Sequence, residues 1–357
     1  MNLSAADLLA RPARVLDLDP VRSLVEGRRV LVTGAGGTIG GELTRQVAAL
    51  NPERLVLLDA SEYNLYAADQ EMGVRFAETD WTAELGDVRD RRRMETLFAR
   101  ERPDVVLHAA ALKHVPLMET HPCEAVLTNV GGALNVMRLA REGASAFVFI
   151  STDKAVNPTN VMGATKRIAE RVVQALAPDG SARAAVVRFG NVLGSAGSVI
   201  PLFQRQIASG GPLTVTHPDM VRWFMTVEES AGLVLQAAGL PAGPGDSAVF
   251  VLDMGEPVRI DELARRLIRQ HGLRPEVDVG VVYTGLRPGE KLAEEIFYAA
   301  EDVAPTSLDG VMVAREEGEP WHLLEGPLLE LLDAAAQRRE KHTQDWLQAL
   351  EPAFRPG

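Results

Sequence analysis

The stretch that most restricts what this chain can fold into is Thr33-Gly34-Ala35-Gly36-Gly37-Thr38-Ile39-Gly40. It follows the apolar run Arg29-Val30-Leu31-Val32 and opens a helical pattern that extends from about Thr38 to Leu50. A strand that turns through glycines straight into a helix commits the chain to a βαβ unit, and so to a parallel sheet covered on both faces. Further short apolar runs repeat the theme: Arg54-Leu55-Val56-Leu57-Leu58 ending at Asp59, Asp104 to His108, Ala146 to Ser151 and Ala184 to Phe189. Between them lie amphipathic segments, which predicts a doubly wound α/β sheet.

With 357 residues the chain is long enough for one large or two intimate domains, since domains run to about 100–200 residues. Residues 1–26 read as an N-terminal arm and 27–190 as a Rossmann domain. After Gly190 glycine and proline become frequent and the alternation stops, so 191–224 and 253–335 are expected to form a smaller C-terminal substrate lobe. A segment near 225–252 returns to the sheet through Ala248-Val249-Phe250-Val251-Leu252. The span Ile260 to Gln270 predicts a helix and Gly285 to Glu290 a turn. The charged tail from Leu328 to Leu350 predicts a surface helix, with 336–357 set apart as C-terminal helix and tail.

Lys plus Arg is 37 and Asp plus Glu is 49, a net charge of −12. Nucleic-acid binding relies on neutralising phosphates, so this balance argues against it. One cysteine, Cys123, excludes an intrachain disulfide and a cysteine-rich metal site; a buried filler is expected, and no metal. No 18 apolar residues run together and no signal-peptide pattern opens the chain, so no membrane segment and a cytoplasmic location are expected.

The glycine-rich turn has a chemical reading as well. Glycines let the backbone approach a pyrophosphate, and the following helix offers free N–H groups and a positive dipole end. Asp59, at the end of the next strand, can accept hydrogen bonds from the adenosine ribose and would repel a 2′-phosphate. NAD is therefore expected over NADP.

Gly34, Gly37 and Gly40 are spaced as in the extended short-chain dehydrogenases, which they resemble. That resemblance implies cofactor contacts from Gly34, Gly37, Thr38, Ile39, Gly40, Asp59, the adenine-side pair Asp87-Val88, and Ala109 and Ala110 beyond His108. It also implies that Asn129 supports the active-site helix. Ordinary members carry a tyrosine four residues before a lysine on that helix, so that the ammonium lowers the tyrosine pKa and holds the nicotinamide ribose. Here the lysine is Lys166, but the tyrosine position is Met162, which transfers no proton. Either the site is dead and only binds NAD, or Asp153 and Lys154, beside Thr152 at a strand end, take over the acid–base work. The second reading is favoured, because a dead site has no need of all three.

Longer stretches resemble a narrower family, the bacterial polysaccharide-biosynthesis UDP-N-acetylglucosamine 4,6-dehydratases. They are Ala111-Leu112-Lys113-His114-Val115-Pro116, Thr152 to Arg167, Arg188 to Gly194, Thr216-His217-Pro218, Arg222-Trp223-Phe224-Met225 and Gly285-Leu286-Arg287-Pro288-Gly289-Glu290-Lys291. Met162 matches the subgroup that retains configuration at carbon 5; inverting members have tyrosine there. Long members carry an N-terminal membrane region, and this chain begins near where their catalytic domain begins, as a natural short form or a shortened one. The resemblance implies oxidation at carbon 4, removal of the carbon 5 proton, loss of the carbon 6 hydroxyl and return of hydride to carbon 6. In that scheme Lys154 is the base, because a partly buried lysine near another cation can lose its proton near neutral pH, Asp153 is the acid, and Thr152 orients the carbon 4 hydroxyl. An ordered water backed by Lys166 is one way to receive the hydroxyl proton. The resemblance further implies a UDP-N-acetylhexosamine partner, met by Lys113, Asn191, Arg222, Arg287 and Glu290, with the arginines on the diphosphate. A homo-oligomer, dimer or higher, is the expected form. A nucleotide-sugar 4-epimerase and a non-catalytic NAD-binding protein remain as alternatives.

Overall fold

The computed structural model describes residue 14 and residues 16–178, 180–195, 197–240, 246–299, 301–316 and 318–354. Of the expected N-terminal arm, residues 1–13 and 15 lie outside the described residues, as do 355–357 of the tail.

Among the described residues nine strands form one sheet. Strands β1 (Arg29–Thr33), β2 (Arg54–Asp59), β3 (Trp81–Leu85), β4 (Val105–His108), β5 (Ala146–Ile150) and β6 (Arg183–Arg188) are parallel, in the order β3-β2-β1-β4-β5-β6. The chain then leaves the sheet through β7 (Asn191–Val192), β8 (Leu213–Val215), β9 (Val221–Arg222) and β10 (Phe224–Met225). It returns as β11 (Ser247–Leu252), parallel to β6. After β12 (Val258–Arg259) and β13 (Val281–Tyr283), the antiparallel pair β14 (Asp302–Pro305) and β15 (Val311–Arg315) extends that edge, β15 lying against β11. The fold is that of the extended short-chain dehydrogenases, a Rossmann sheet with a smaller lobe. The strand order reverses between β1 and β4, the place where open α/β sheets bind ligands beyond the strands' carboxyl ends.

The helices are α1 (Asp19–Val25), α2 (Thr38–Ala48), α3 (Glu62–Arg75), α4 (Arg91–Glu101), α5 (Val115–Thr120), α6 (Pro122–Ala125), α7 (Gly132–Gly143), α8 (Val161–Leu176), α9 (Val199–Ala208), α10 (Val227–Gly239), α11 (Ile260–Gln270), α12 (Trp321–Ala336) and α13 (Glu340–Leu350). Side chains alternate across a strand, so the central strands β1, β2, β4, β5, β6 and β11 feed two cores. Val30 and Val32 of β1 face Leu43 and Val47 of α2, Val21 and Leu24 of α1, and Val234 of α10. Leu31 faces the other way, into a core built by Leu97 of α4, Met137 of α7, Ile168 and Val172 of α8 and Leu328 of α12. A third core, Phe203 and Ile207 of α9, Leu213 and Val215 of β8 and Leu263, Leu267 and Ile268 of α11, belongs to the lobe.

The tail departs from its expected form. It makes two helices, and Leu324, Leu328, Leu331, Leu347, Leu350 and Phe354 are buried in the sheet's core. The charges that suggest a surface helix, Glu330, Asp333, Lys341 and Asp345, all lie on the exposed side. Cys123 is buried, as expected. No helix among the described residues is long and apolar enough to cross a membrane.

Candidate active site

The cofactor end begins at the β1–α2 turn. Gly34 has φ +68°, and a Cβ there would sit 2.7 Å from the Ala110 nitrogen, so the two loops meet in a way only glycine permits. Gly37 caps α2, whose first residues are Thr38, Ile39 and Gly40. Asp59 Oδ2 accepts from the Gly36 amide at 2.9 Å and Oδ1 from the Ser61 amide at 2.8 Å. Ala109 and Ala110 follow β4, and the Ala110 amide donates to Thr33 Oγ1 at 3.3 Å. Of the pair expected on the adenine side, Val88 is buried, while Asp87 accepts from the amide and Nε of Arg89 at 2.9 and 2.8 Å. A glycine cradle, a helix N-terminus and one carboxylate at a strand end together fit a dinucleotide.

The chemical end lies on the 3₁₀ turn after β5. Thr152 Oγ1 donates to Asp153 Oδ1 at 2.8 Å, and Lys154 Nζ donates to the same oxygen at 2.9 Å and to Asn191 Oδ1 at 3.2 Å. Asp153 is fully buried, and its Oδ2 has no hydrogen-bond partner. The Lys154 side chain is 17% exposed. Its neighbour is therefore an anion, where the sequence reading expects another cation.

Helix α8 packs on this turn, and its start is tightly fixed. Asn160 Oδ1 accepts from the Gly163 amide at 2.8 Å, and Glu119 Oε1 accepts from the Val161 amide at 2.7 Å. A Cβ on Gly163 would lie 2.1 Å from the Lys154 carbonyl oxygen, so glycine is what lets the helix rest on the catalytic turn. Met162 is buried, and Lys166, one turn on, donates from Nζ to the Ile150 carbonyl at 2.7 Å and sits 4.3 Å above the Phe149 ring. Burial pushes the Lys166 ammonium down to about 8, with Glu170 opposing. Asn129 bonds the Leu112 backbone in both directions and donates to Thr165 Oγ1 at 2.9 Å, bracing α8 against the loop after β4.

The substrate candidates are more scattered. Lys113 is exposed on the loop after β4, and Arg287 is exposed in the turn before β14. Arg222 is placed differently from a phosphate clamp: its side chain is 9% exposed and its terminal nitrogens donate to the carbonyls of Val221, Lys291 and Leu292. Glu290 lies 3.7 Å from it. Two residues near the pair carry no sequence signal. Glu170 is buried beneath Ser151 and accepts its hydroxyl at 2.5 Å, and Glu294 is buried beside Arg222.

Residues 30–316 match the model of the polysaccharide biosynthesis protein family. The chain is 51% identical over 298 residues to the capsular polysaccharide biosynthesis protein CapD of Staphylococcus aureus, covering 83% of this chain and 49% of that protein. It is 46% identical over 325 residues to a probable polysaccharide biosynthesis protein, EpsC, of Bacillus subtilis, covering 90% and 54%. It thus spans about half the length of these two relatives. An inverting UDP-N-acetylglucosamine 4,6-dehydratase of Campylobacter jejuni is 33% identical over 285 residues, covering 78% and 80%. Among solved structures, Pen from Bacillus thuringiensis superposes with a TM-score of 0.71 at 32% identity, covering 81% of this chain and 86% of that one. A dTDP-glucose 4,6-dehydratase from Streptomyces venezuelae, solved with NAD bound, gives 0.64 at 21% identity, covering 75% and 88%.

Proposed function

The chain belongs to the polysaccharide biosynthesis protein family, and on that premise we propose that it removes water across carbons 5 and 6 of a UDP-N-acetylhexosamine, UDP-N-acetylglucosamine first, retaining configuration at carbon 5. The observation that carries this reading is the bonded trio Thr152, Asp153 and Lys154 at the end of β5, packed on a helix that presents Met162 where a tyrosine would work. The bound NAD supplies an acceptor and donor for the hydrogen that moves from carbon 4 to carbon 6.

The protein's own groups have separate tasks. Thr152 accepts the bond of the carbon 4 hydroxyl and passes its proton toward Asp153 Oδ1, to which it is already bonded at 2.8 Å. Once carbon 4 is a ketone the carbon 5 hydrogen is acidic; Lys154 removes it and returns that proton to the same face of carbon 5 as hydride arrives at carbon 6. Asp153, with a free buried Oδ2, delivers a proton to the departing carbon 6 hydroxyl. Lys166 orients the nicotinamide ribose, and Met162 fills space. Arg287, exposed in its turn with Glu290 bonded to its amide, meets the diphosphate, Lys113 is a further cation for it, and Asn191 steadies Lys154.

The test is to incubate the NAD-loaded protein with UDP-N-acetylglucosamine and follow the sugar nucleotide by mass spectrometry. Loss of one water is expected. An isomer of unchanged mass makes the protein an epimerase, and an untouched substrate refutes this substrate assignment. In heavy water, Lys154→Ala should abolish carbon 5 hydrogen exchange while single-turnover oxidation at carbon 4 persists. Normal exchange in that variant moves the base elsewhere, and a fully active Asp153→Asn, Lys154→Ala double variant removes the pair from the chemistry.

A further inference from the structure

The 3₁₀ turn Asp153–Ala155, which carries Asp153 and Lys154, has little to hold it from within. The Ala155 amide donates to the Thr152 carbonyl at 3.2 Å and the Val156 amide to the Asp153 carbonyl at 3.1 Å, and hydrogen-bond geometry in such turns is poor. Bonds from outside set its place. At its start the Asp153 amide donates to the Phe189 carbonyl at 3.1 Å, and the hydroxyl of Ser151, two residues earlier, donates to Glu170 at 2.5 Å. At its end the Tyr298 hydroxyl donates to the Ala155 carbonyl at 3.0 Å.

Tyr298 is itself fixed by the charges beneath the turn. The guanidinium carbons of Arg167 and Arg188 lie over its ring, 5.1 and 5.6 Å from the centroid. Its amide donates to Glu301 Oε2 at 2.8 Å, and Glu301 Oε1 accepts from Arg188 at 2.7 Å. Arg188 also bonds both oxygens of Glu170. The supports of the two ends of the turn therefore hang from one buried guanidinium. Burial pushes the Tyr298 hydroxyl up to about 12, with Glu351 and Glu170 adding to the rise and the two arginines opposing it. It keeps its proton, and stays a donor, through the neutral pH range. A tyrosine hydroxyl away from water finds a partner in most proteins; here the partner is the carbonyl that ends the turn.

We propose that Tyr298 is a positioning residue: through the Ala155 carbonyl it fixes the turn and so the alignment of Thr152, Asp153 and Lys154 on the sugar. This rests on that trio carrying the chemistry. The hold on the turn itself is readable without turnover.

The experiment compares the NAD-loaded protein with its Tyr298→Phe variant, which removes one hydroxyl and keeps the ring under its arginines. Misplacing a reacting group by about 1 Å costs on the order of a hundredfold in rate, so kcat for dehydration of UDP-N-acetylglucosamine should fall by about tenfold or more. KM for the sugar nucleotide should stay within about twofold, because no substrate contact is lost. Hydrogen exchange read by mass spectrometry should be faster in the peptide carrying the Ala155 and Val156 amides, with β1 and β4 unchanged. A tyrosine that merely packs would lower the melting temperature and leave kcat of the folded enzyme as it was. That result, or unchanged exchange across the turn, overturns the proposal. If the wild-type protein dehydrates no sugar while the turn of the variant still exchanges faster, Tyr298 keeps its hold on the turn and the dehydratase reading fails instead.

Discussion

Both carboxylate oxygens of Asp59 already accept backbone N–H groups, one from the glycine-rich turn and one from the start of α3. A ribose hydroxyl would therefore meet a carboxylate held rigid by the loop it helps to shape. Asp59→Ala should weaken NAD binding by about 1.5–3 kcal/mol, the range for a hydrogen bond to a charged group. It should not bring NADP up to match, since Ala60-Ser61-Glu62 offers no cation. Calorimetry with each dinucleotide checks this, and NADP extracted from the wild-type protein would contradict it. His108 lies deeper, bonded through Nδ1 to Thr33 Oγ1 with Nε2 buried and unpartnered. Burial, aided by the Lys166 charge, pushes the imidazole down to about 3. The unfolded chain takes up that proton near the ordinary value of about 6.5, so between those values the unfolded state binds more protons and stability falls as pH falls. Denaturation at pH 7 and pH 5 should show a loss approaching 1.4 kcal/mol per pH unit below about 6.5 that His108→Gln lacks. Equal losses in both proteins would remove His108 as the cause.

Elements meet beneath the site through a buried charge network. Arg188, at the end of β6 and fully buried, donates to both oxygens of Glu170 on α8 at 2.9 and 2.7 Å and to Glu301 before β14 at 2.7 Å. Arg167 joins Glu170 to Glu316 after β15. Burial alone would raise the Glu170 carboxyl, but the charge and bonds of Arg188 outweigh it and hold it below the usual range. Its contribution is thus present at neutral pH and lost as pH drops through that lowered value. Arg188→Met would leave Glu301 without its arginine and Glu170 with Arg167 alone as cation, and should cost about 3–5 kcal/mol in chemical denaturation; a loss under 1 kcal/mol would mean the network relaxes around the gap. None of the long links was legible in the sequence, because the bonds of Arg188 and that of Arg167 to Glu316 span 18 to 149 residues and an arginine at a strand end carries no mark of its mate. Local features were legible: β2 runs from Arg54 to Asp59 and α11 spans Ile260–Gln270, as period and turn residues predict. Arg222 shows the limit, since an arginine in a motif reads as a phosphate ligand while its carbonyl partners at 291 and 292 cannot be seen. The hairpin β14–β15 escaped because its strands are short and partly exposed.

The molecule divides its apolar interior unequally. Two cores share the sheet, so β1, β2, β4, β5 and β6 are clamped between helices, and α12 and α13 extend one of them to Phe354. The lobe has its own core around Phe203, Leu213, Leu263 and Leu267, with no nine-stranded sheet beneath it. Its strands pair only two by two, β7 with β10, β8 with β13 and β9 with β12. Regions with fewer buried contacts open at lower free energy than the global fold. The lobe should therefore exchange its amide hydrogens by local opening while the sheet waits for global unfolding. Phe203 is fully buried, and Phe203→Ala should cost the lobe about 3–5 kcal/mol. Hydrogen exchange read by mass spectrometry should then show faster exchange in α9, β8 and α11, with β1, β4 and β5 unchanged. Adding UDP should slow the lobe again if the nucleotide is held between the two parts, because a ligand that binds the closed form stabilises it by mass action. Uniform acceleration across sheet and lobe would show instead that the molecule unfolds as one unit, with the third core no less cooperative than the other two.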